Sequence, residues 1–325
     1  MSISGARSPA AFMPILKPDA APRVTVLLAL RNGAAFLPAQ LDSLATQTLP
    51  PALILASDDG STDGTAAIFR AFAARQPRDT ARLTTGPMRG GTANFLHLLT
   101  LAPPEADVTA LCDQDDVWLP EKLRRAATAL HGIAEPALYG ARSHEVDVAL
   151  RHPRLSRAMP PPWNFAHALA QNFAGGNTMV LNAAALALVK SCLPGLPEPV
   201  VHDWFLYQLI AGAGGRIVFD DTPVLLYRQH QGNLIGAAGG IGAKLTRARA
   251  MFSGTFSDWS DHNIAALRHC KAALTADARA RLEDFATHRH SSLAARLKML
   301  RRTGMHRKGA LNQTGLWLAA LLGKI

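Results

Sequence analysis

Residues 23–30, Arg23-Val24-Thr25-Val26-Leu27-Leu28-Ala29-Leu30, form an unbroken β-favouring run. Such a run suits a strand buried on both faces, as inside a sheet covered by helices on either side. A turn at Asn32-Gly33 follows, then Phe36, Leu37, Leu41 and Leu44 at helix spacing, then Pro50-Pro51 and a second short strand over residues 52–56. Residues 57–65 read as a loop opening a helix through residues 68–74, with Thr62 or Asp63 as its N-cap. After a helix over residues 93–101, the strand Val108-Thr109-Ala110-Leu111-Cys112 runs directly into Asp113-Gln114-Asp115-Asp116. Strands alternating with helices at this spacing predict an α/β fold with a mostly parallel central sheet. Ligands of such sheets sit at the carboxyl ends of strands. Both acidic segments, 57–65 and 113–116, fall at such ends and can converge on one crevice.

The middle of the chain is less regular. Residues 138–148 fit a strand or hairpin, and Pro160-Pro161-Pro162 a loop. Gly175-Gly176 point to a close backbone approach, followed by a strand. Residues 203–211 are helical in pattern, and residues 216–220 and 224–228 are two strands. Beyond Gly239-Gly240 the pattern is helical and basic. The net charge of +10 resides entirely from Lys244 onward, where 15 basic residues face 5 acidic ones; the preceding residues balance at 19 each. The expected organisation is a disordered leader over residues 1–22, a main domain over 23–240, and a helical basic region over 241–325.

Cys112, Cys192 and Cys270 are far apart in sequence and lack metal-ligand spacing, so they read as free thiols of a reducing compartment. The short apolar patch at residues 10–16 is broken by Pro14 and has no basic leader, so no secretion signal is expected. No run reaches the roughly eighteen apolar residues of a membrane span. A cytoplasmic location, extending to the inner face of the cytoplasmic membrane, is the expectation.

Three carboxylates within Asp113-Gln114-Asp115-Asp116 repel one another unless a cation sits among them. Oxygen ligands of this kind suit Mg²⁺ or Mn²⁺, which also bind substrate phosphates. A solvated acidic loop capping the next helix, with Pro120 in its first turn, is the plainer account. Ser57-Asp58-Asp59-Gly60-Ser61 offers carboxylates to a nucleobase or hydroxyls, or simply caps a helix. His202-Asp203-Trp204 could place Asp203 to accept a proton from a hydroxyl nucleophile, or at a helix N-cap. In Arg228-Gln229-His230, His230 could complete a metal site and Arg228 could bind phosphate. No G-x-G-x-x-G follows the first strand, which disfavours a dinucleotide-binding oxidoreductase, and neither a Walker lysine loop nor a G-x-S-x-G elbow occurs.

These motifs resemble family 2 glycosyltransferases. Residues 24–33, Gln40-Leu41-Asp42-Ser43-Leu44, Gln47-Thr48 and residues 57–65 are similar to the opening of that family. Residues 112–123, with Asp-Gln-Asp-Asp-Val-Trp-Leu-Pro-Glu-Lys-Leu, resemble the subgroup that includes bacterial rhamnosyltransferases, as do His202-Asp203-Trp204 and Leu226-Tyr227-Arg228-Gln229-His230. The resemblance implies a GT-A (Rossmann-like) nucleotide-diphospho-sugar transferase fold. It implies that Asp59 contacts the nucleotide base in a pocket lined by residues 29–32, with Ala29, Arg31 and Asn32 as donor contacts. Asp113 and Asp115 would be the D-x-D pair holding ribose and the metal-diphosphate, His230 a further metal or phosphate contact, and Asp203 the catalytic base. Asn172, Gly175, Gly176 and Thr178 would border donor sugar and acceptor. Two positions depart from the pattern: Arg31 stands where tyrosine is usual, giving a cation–π or hydrogen-bonding contact, and Asn177 where cysteine is common.

The resulting expectation is an inverting, metal-dependent glycosyltransferase of cell-surface polysaccharide synthesis. It would move a sugar, rhamnose by the subgroup's suggestion, from a nucleotide-diphosphate donor to a glycan or lipid-linked acceptor. Asp116 is expected to cap the following helix. A nucleotidyltransferase, a metal-dependent phosphohydrolase and a non-catalytic carbohydrate-binding protein are the alternatives. The basic region reads either as a helix on an anionic membrane surface or as a subdomain packed on the body with a solvated basic face. Nucleic-acid binding is not expected, because no recognition motif accompanies the charge.

Overall fold

The structure, a computed structural model, describes residues 21–230 and 255–325. Most of the expected leader, Gly239-Gly240 and the start of the basic region therefore lie outside the described residues. The first half is a run of strands and crossover helices: β1 (Val24–Leu30), α1 (Leu37–Ala45), β2 (Leu53–Asp58), α2 (Thr65–Ala73), β3 (Ala81–Thr85), α3 (Gly91–Leu101) and β4 (Val108–Asp113). These strands lie parallel in the order β3-β2-β1-β4.

The burial of β1 follows from its sequence. Val24, Val26, Leu28 and Leu30 enter one core with Leu37, Leu41 and Phe69. Leu27 points the other way, into a second core with Phe95, Leu98 and Leu111. A strand sandwiched this way has no wet face and so tolerates no polar alternation.

Beyond β4 come β5 (Val117–Trp118), α4 (Lys122–Leu130), β6 (Ala137–Val146), β7 (Arg154–Leu155), α5 (Phe165–Ala168), a 3₁₀ turn at Gly176–Thr178, β8 (Val180–Asn182), α6 (Ala183–Cys192), α7 (His202–Gly212) and β9 (Arg216–Arg228). The sheet continues β4-β8-β6-β9-β5, with β7 on β6. Its parallel character is confined to β1–β4 and the β6–β9 pair; β8 runs antiparallel to β4 and β6, and β5 to β9. The sheet is thus mixed rather than mostly parallel, because the chain enters β8 from the 3₁₀ turn beside the carboxyl end of β4. The two strands expected over residues 216–228 are one continuous β9, whose register against β6 shifts near Ala141 and Arg142. The helix expected through residues 68–74 with Thr62 or Asp63 as N-cap spans Thr65–Ala73, with Gly64 as N-cap; Asp63 still holds its first turn by accepting from Thr65 N at 3.0 Å. Pro120 lies just before α4, whose N-cap is Glu121.

Four helices close the chain: α8 (Thr255–His269), α9 (Ala276–His288), α10 (Leu293–Thr303) and α11 (Ala310–Leu321). Phe285, Leu300, Leu316 and Ile325 share one buried core with Phe165, Trp204 and Tyr207 of α5 and α7, so these helices pack on the body. Arg289 is buried among them, its guanidinium donating to Asp261 Oδ1 at 2.7 Å and to the Ile325 carbonyl at 3.0 Å. The packing also brings together two cysteines distant in sequence, Cys192 and Cys270, which interact strongly enough to shift each other's thiol and are both free. No helix among the described residues is long and apolar enough to cross a membrane.

Candidate active site

The parallel register lines up the strand ends. Ala29 pairs with Ser57 on one side and Asp113 on the other, and Leu30 pairs with Asp58. The two acidic segments therefore open on one edge of the sheet. Their loops are cross-linked. Arg31 N donates to Gln114 Oε1 at 2.8 Å, and Gln114 Nε2 returns a bond to the Arg31 carbonyl at 2.7 Å. Gly33 is required there because a Cβ would overlap the Gln114 amide. Asn32 adopts a left-handed backbone (φ 46°), which asparagine tolerates. Its Oδ1 accepts from Thr62 N at 2.8 Å, tying the first loop to the second.

Asp59 is buried and turned inward. Its Oδ1 accepts from Met88 N at 2.6 Å and its Oδ2 from Gly90 N at 2.7 Å, so it holds the loop between β3 and α3. Arg31, more than half exposed, donates through Nη1 to the Asp59 carbonyl at 2.7 Å. Of Arg31 and Asp59, both assigned to the base pocket, Arg31 is thus the more outward.

Asp113 ends β4. Burial, followed by the charges of Asp115 and Asp203, pushes its carboxyl up to about 7. Asp115 meets His230, whose Nε2 lies 2.7 Å from Asp115 Oδ2. The His230 ring stacks on Phe36 at 5.0 Å between centroids, and the Arg228 guanidinium lies 4.8 Å from the same ring. Arg228 Nε also donates to the Asp115 carbonyl at 2.8 Å. An open cavity of about 530 Å³ abuts Phe36, Asp147, Arg151 and Arg228.

Asp116 does not cap α4. It is fully buried, accepting from Asn177 Nδ2 at 2.6 Å and from Arg228 N at 3.3 Å. Burial and the neighbouring charges of Asp113 and Asp115 hold its carboxyl well above the ordinary range. Lys122 is buried beside it, its Nζ donating to the Asn177 carbonyl and lying 3.4 Å from the Trp118 ring centroid. Burial lowers the Lys122 amine to about 7. Sequence pattern gave Lys122, Gln114 and Phe36 no individual role in the site. A lysine in the first turn of a helix ordinarily reads as solvated, and only the tertiary contact with the 3₁₀ turn reveals otherwise.

Asp203 sits in the first turn of α7, whose N-cap is Val201. Its Oδ2 accepts from Gly176 N at 3.0 Å and its Oδ1 from Trp204 N at 2.6 Å, and the nearby Asn172 side chain favours its charged form. Burial pushes its pKa up to about 6 against these bonds, which favour the charged form. His202 stacks on Phe95 at 4.0 Å and burial lowers its pKa to about 3, keeping it neutral. A Cβ at Gly176 would lie 2.7 Å from His202 Nε2 and 3.1 Å from Asp203 Cβ, so the close approach signalled by the paired glycines is to the start of α7.

A cation is only partly provided for by protein. Among the described residues no three His, Cys, Asp or Glu side chains converge to enclose one, so Asp113, Asp115 and His230 do not form a ready cage. The donor set still fits Mg²⁺ or Mn²⁺, which characteristically take one or two carboxylates and complete their shell with substrate phosphates and water.

Residues 25–188 match the description of Glycosyl transferase family 2. The chain is 28% identical over 229 residues to the dTDP-rhamnosyl transferase RfbG of Shigella flexneri, covering 68% of this chain and 77% of the relative. It is 29% identical over 207 residues to the uncharacterized protein Rv1520 of Mycobacterium tuberculosis, covering 61% of this chain and 56% of that one, so it spans about half the length of the mycobacterial relative. Its fold is similar to that of the mannosyltransferase PcManGT from Pyrobaculum calidifontis (TM-score 0.52, 19% identity, 94% of this chain and 87% of that one). It is also similar to Staphylococcus aureus TarS 1–349 (TM-score 0.53, 14% identity, 88% of this chain and 93% of that one). With half of its length matching the family and the acidic strand ends assembled on one sheet edge, the chain belongs to glycosyltransferase family 2, a GT-A-fold enzyme that moves a sugar from a nucleotide donor.

Proposed function

We propose that the site transfers its sugar with inversion, using Asp203 as base and Asp113 and Asp115 on the donor side. The observation behind this is the 3₁₀ turn that joins the two acidic segments: Gly176 N donates to Asp203 Oδ2 at 3.0 Å while Asn177 Nδ2 donates to Asp116 Oδ2 at 2.6 Å, so the start of α7 meets the 113–116 cluster and the Asp203 charge raises the Asp113 carboxyl. A base and a diphosphate-binding acid must flank one reacting carbon, and the meeting of these segments supports that reading.

In the proposed reaction an acceptor hydroxyl loses its proton to the Asp203 carboxylate as its oxygen bonds to the anomeric carbon. The bond from that carbon to the diphosphate oxygen breaks on the opposite face, and the nucleoside diphosphate leaves with the electron pair. Attack opposite the leaving group inverts the configuration. Asp113 and Asp115 would hold Mg²⁺ or Mn²⁺ together with the diphosphate, with His230 as a further contact. When bound, such a cation neutralises charge growing on the leaving group. The Gly176 and Trp204 N–H groups fix the Asp203 carboxylate, and His202, held neutral, adds no competing charge.

Ala29, Arg31 and Asn32 line the proposed nucleotide end, with Asp59 positioning the adjoining loop and Gly176 the sugar end. The relative named as a dTDP-rhamnosyl transferase supports dTDP-rhamnose as donor. The neighbour solved with GDP-Man and Mn²⁺ supports a divalent cation. The acceptor would be a glycan or lipid-linked saccharide of a cell-surface polysaccharide. The test is a panel of nucleotide-sugars, each measured for binding with and without Mn²⁺ or Mg²⁺. Metal-dependent binding of dTDP-rhamnose above the rest is the expected result. Release of nucleoside diphosphate at the same rate without any acceptor would instead assign the site to a phosphohydrolase.

A further inference from the structure

The last helix leaves an apolar face uncovered. On α11, Gly315, Leu316, Ala319 and Ala320 are buried against the body. The opposite side carries Leu311 at 78% exposure, Leu318 at 42%, Leu321 at 45% and Leu322 at 59%. Together with the exposed Thr314, these residues recur at three- and four-residue intervals, so they form one stripe along a helix of about 18 Å. No charged residue interrupts it. Trp317 flanks it, half-buried.

The segment that carries this face has charge of one sign only. After Asp284 the chain contains eight Lys and Arg residues and no Asp or Glu. Several of these cations are consumed internally: Arg289 is buried, and Arg296 donates to the Ala320 carbonyl at 2.6 Å, anchoring α10 to the end of α11. Lys298, Arg301 and Lys324 stand exposed. Leu293, at the start of α10 three residues before Arg296, is a further exposed leucine at 44%.

We propose that this face docks on an anionic lipid bilayer, the leucines of α11 entering the headgroup–acyl boundary while Lys298, Arg301 and Lys324 meet lipid phosphates. An uncharged leucine stripe on a helix followed by exposed Lys324 and packed against the helix that carries exposed Lys298 and Arg301 is the pattern that binds such surfaces, whereas a protein partner for the stripe would need acidic groups to answer the cations. The surface is independent of the donor chemistry and does not rest on the reaction proposed above.

The test is co-sedimentation of the full chain with vesicles of phosphatidylglycerol and phosphatidylcholine, and with phosphatidylcholine alone. The protein is expected to pellet with the anionic vesicles and to be released by salt. The triple variant Leu311→Ser, Leu318→Ser, Leu322→Ser, altered only at exposed positions, should keep its unfolding midpoint and lose at least about tenfold in vesicle affinity. Neutralising Lys298→Gln, Arg301→Gln and Lys324→Gln should weaken anionic-vesicle binding by about fivefold per cation. Failure of the unaltered protein to pellet, or equal pelleting of the leucine variant, overturns the proposal. So does a dimer in light scattering that the leucine variant converts to monomer, since a second copy would then cover the face.

Discussion

Asn177 Nδ2 donates a 2.6 Å hydrogen bond to Asp116 Oδ2, joining the 3₁₀ turn before β8 to the loop after β4. The Asn177 carbonyl also receives the buried Lys122 ammonium. One residue thus satisfies an acid and a base that are both buried beneath the donor-side loop. Replacing Asn177 by Ala leaves a buried carboxyl short of a donor, which costs about 1–3 kcal/mol. Urea unfolding of Asn177→Ala should report a loss of that size. A midpoint equal to that of the unaltered protein would show that Asp116 finds another partner.

Asp203→Asn should lower turnover by about 10²–10⁴-fold, the usual contribution of a positioned base. Nucleotide-sugar binding, measured by calorimetry, should change little, since Asp203 is proposed to face the acceptor. The substitution should not lower the melting temperature at pH 8. The sign follows from linkage: the folded-state pKa of about 6 lies above the ordinary carboxyl value of 3.8, so ionisation of Asp203 opposes folding. Its contribution to stability is full below the ordinary value and is lost as pH rises through about 6.

The same shift predicts the acid limb of activity. A base works only when deprotonated, so at saturating Mn²⁺, where cation binding keeps Asp113 ionised, kcat/KM should be flat above about pH 6 and fall with decreasing pH below it. The limb should vanish from the residual activity of Asp203→Asn. An unchanged limb in that variant would assign the titration to another group.

Gly176→Ala tests whether the glycine serves positioning. The added Cβ would lie 2.7 Å from His202 Nε2, and His202 is pinned by its stack on Phe95, so the start of α7 must give way. Displacement of the base by a fraction of an ångström should reduce kcat by about 10–100-fold, with KM for the donor nearly unchanged. An equal rise in KM would indicate that Gly176 contacts the donor instead.

Donor-induced thermal stabilisation should depend on a divalent cation. At a nucleoside diphosphate concentration 100 times Kd, stabilisation of about 2.7 kcal/mol is expected with Mn²⁺. Chelation should remove most of it, and Asp115→Asn should weaken it. Full stabilisation in the presence of a chelator would exclude Asp113 and Asp115 as cation ligands.

What sequence alone determined was the half of the fold whose cues are local. The two-sided burial of β1, the crossover helices and the strand-end position of the 113–116 cluster follow from residue patterns over a few turns of chain. The carboxylates of Asp113, Asp115 and Asp203 were legible for the same reason: acidic residues at the ends of apolar elements are conspicuous. What only the tertiary structure decided were contacts between elements distant in sequence. The antiparallel entry of β8, the inward turn of Asp59, the burial of Asp116 and Lys122 around Asn177, and the meeting of Cys192 with Cys270 leave no periodic trace. The exposed leucines of α11 belong to this group, because a helix apolar nearly all round shows which side is covered only once its neighbours are in place. Side-chain identity sets what each group can do; packing sets which groups lose water and which keep it.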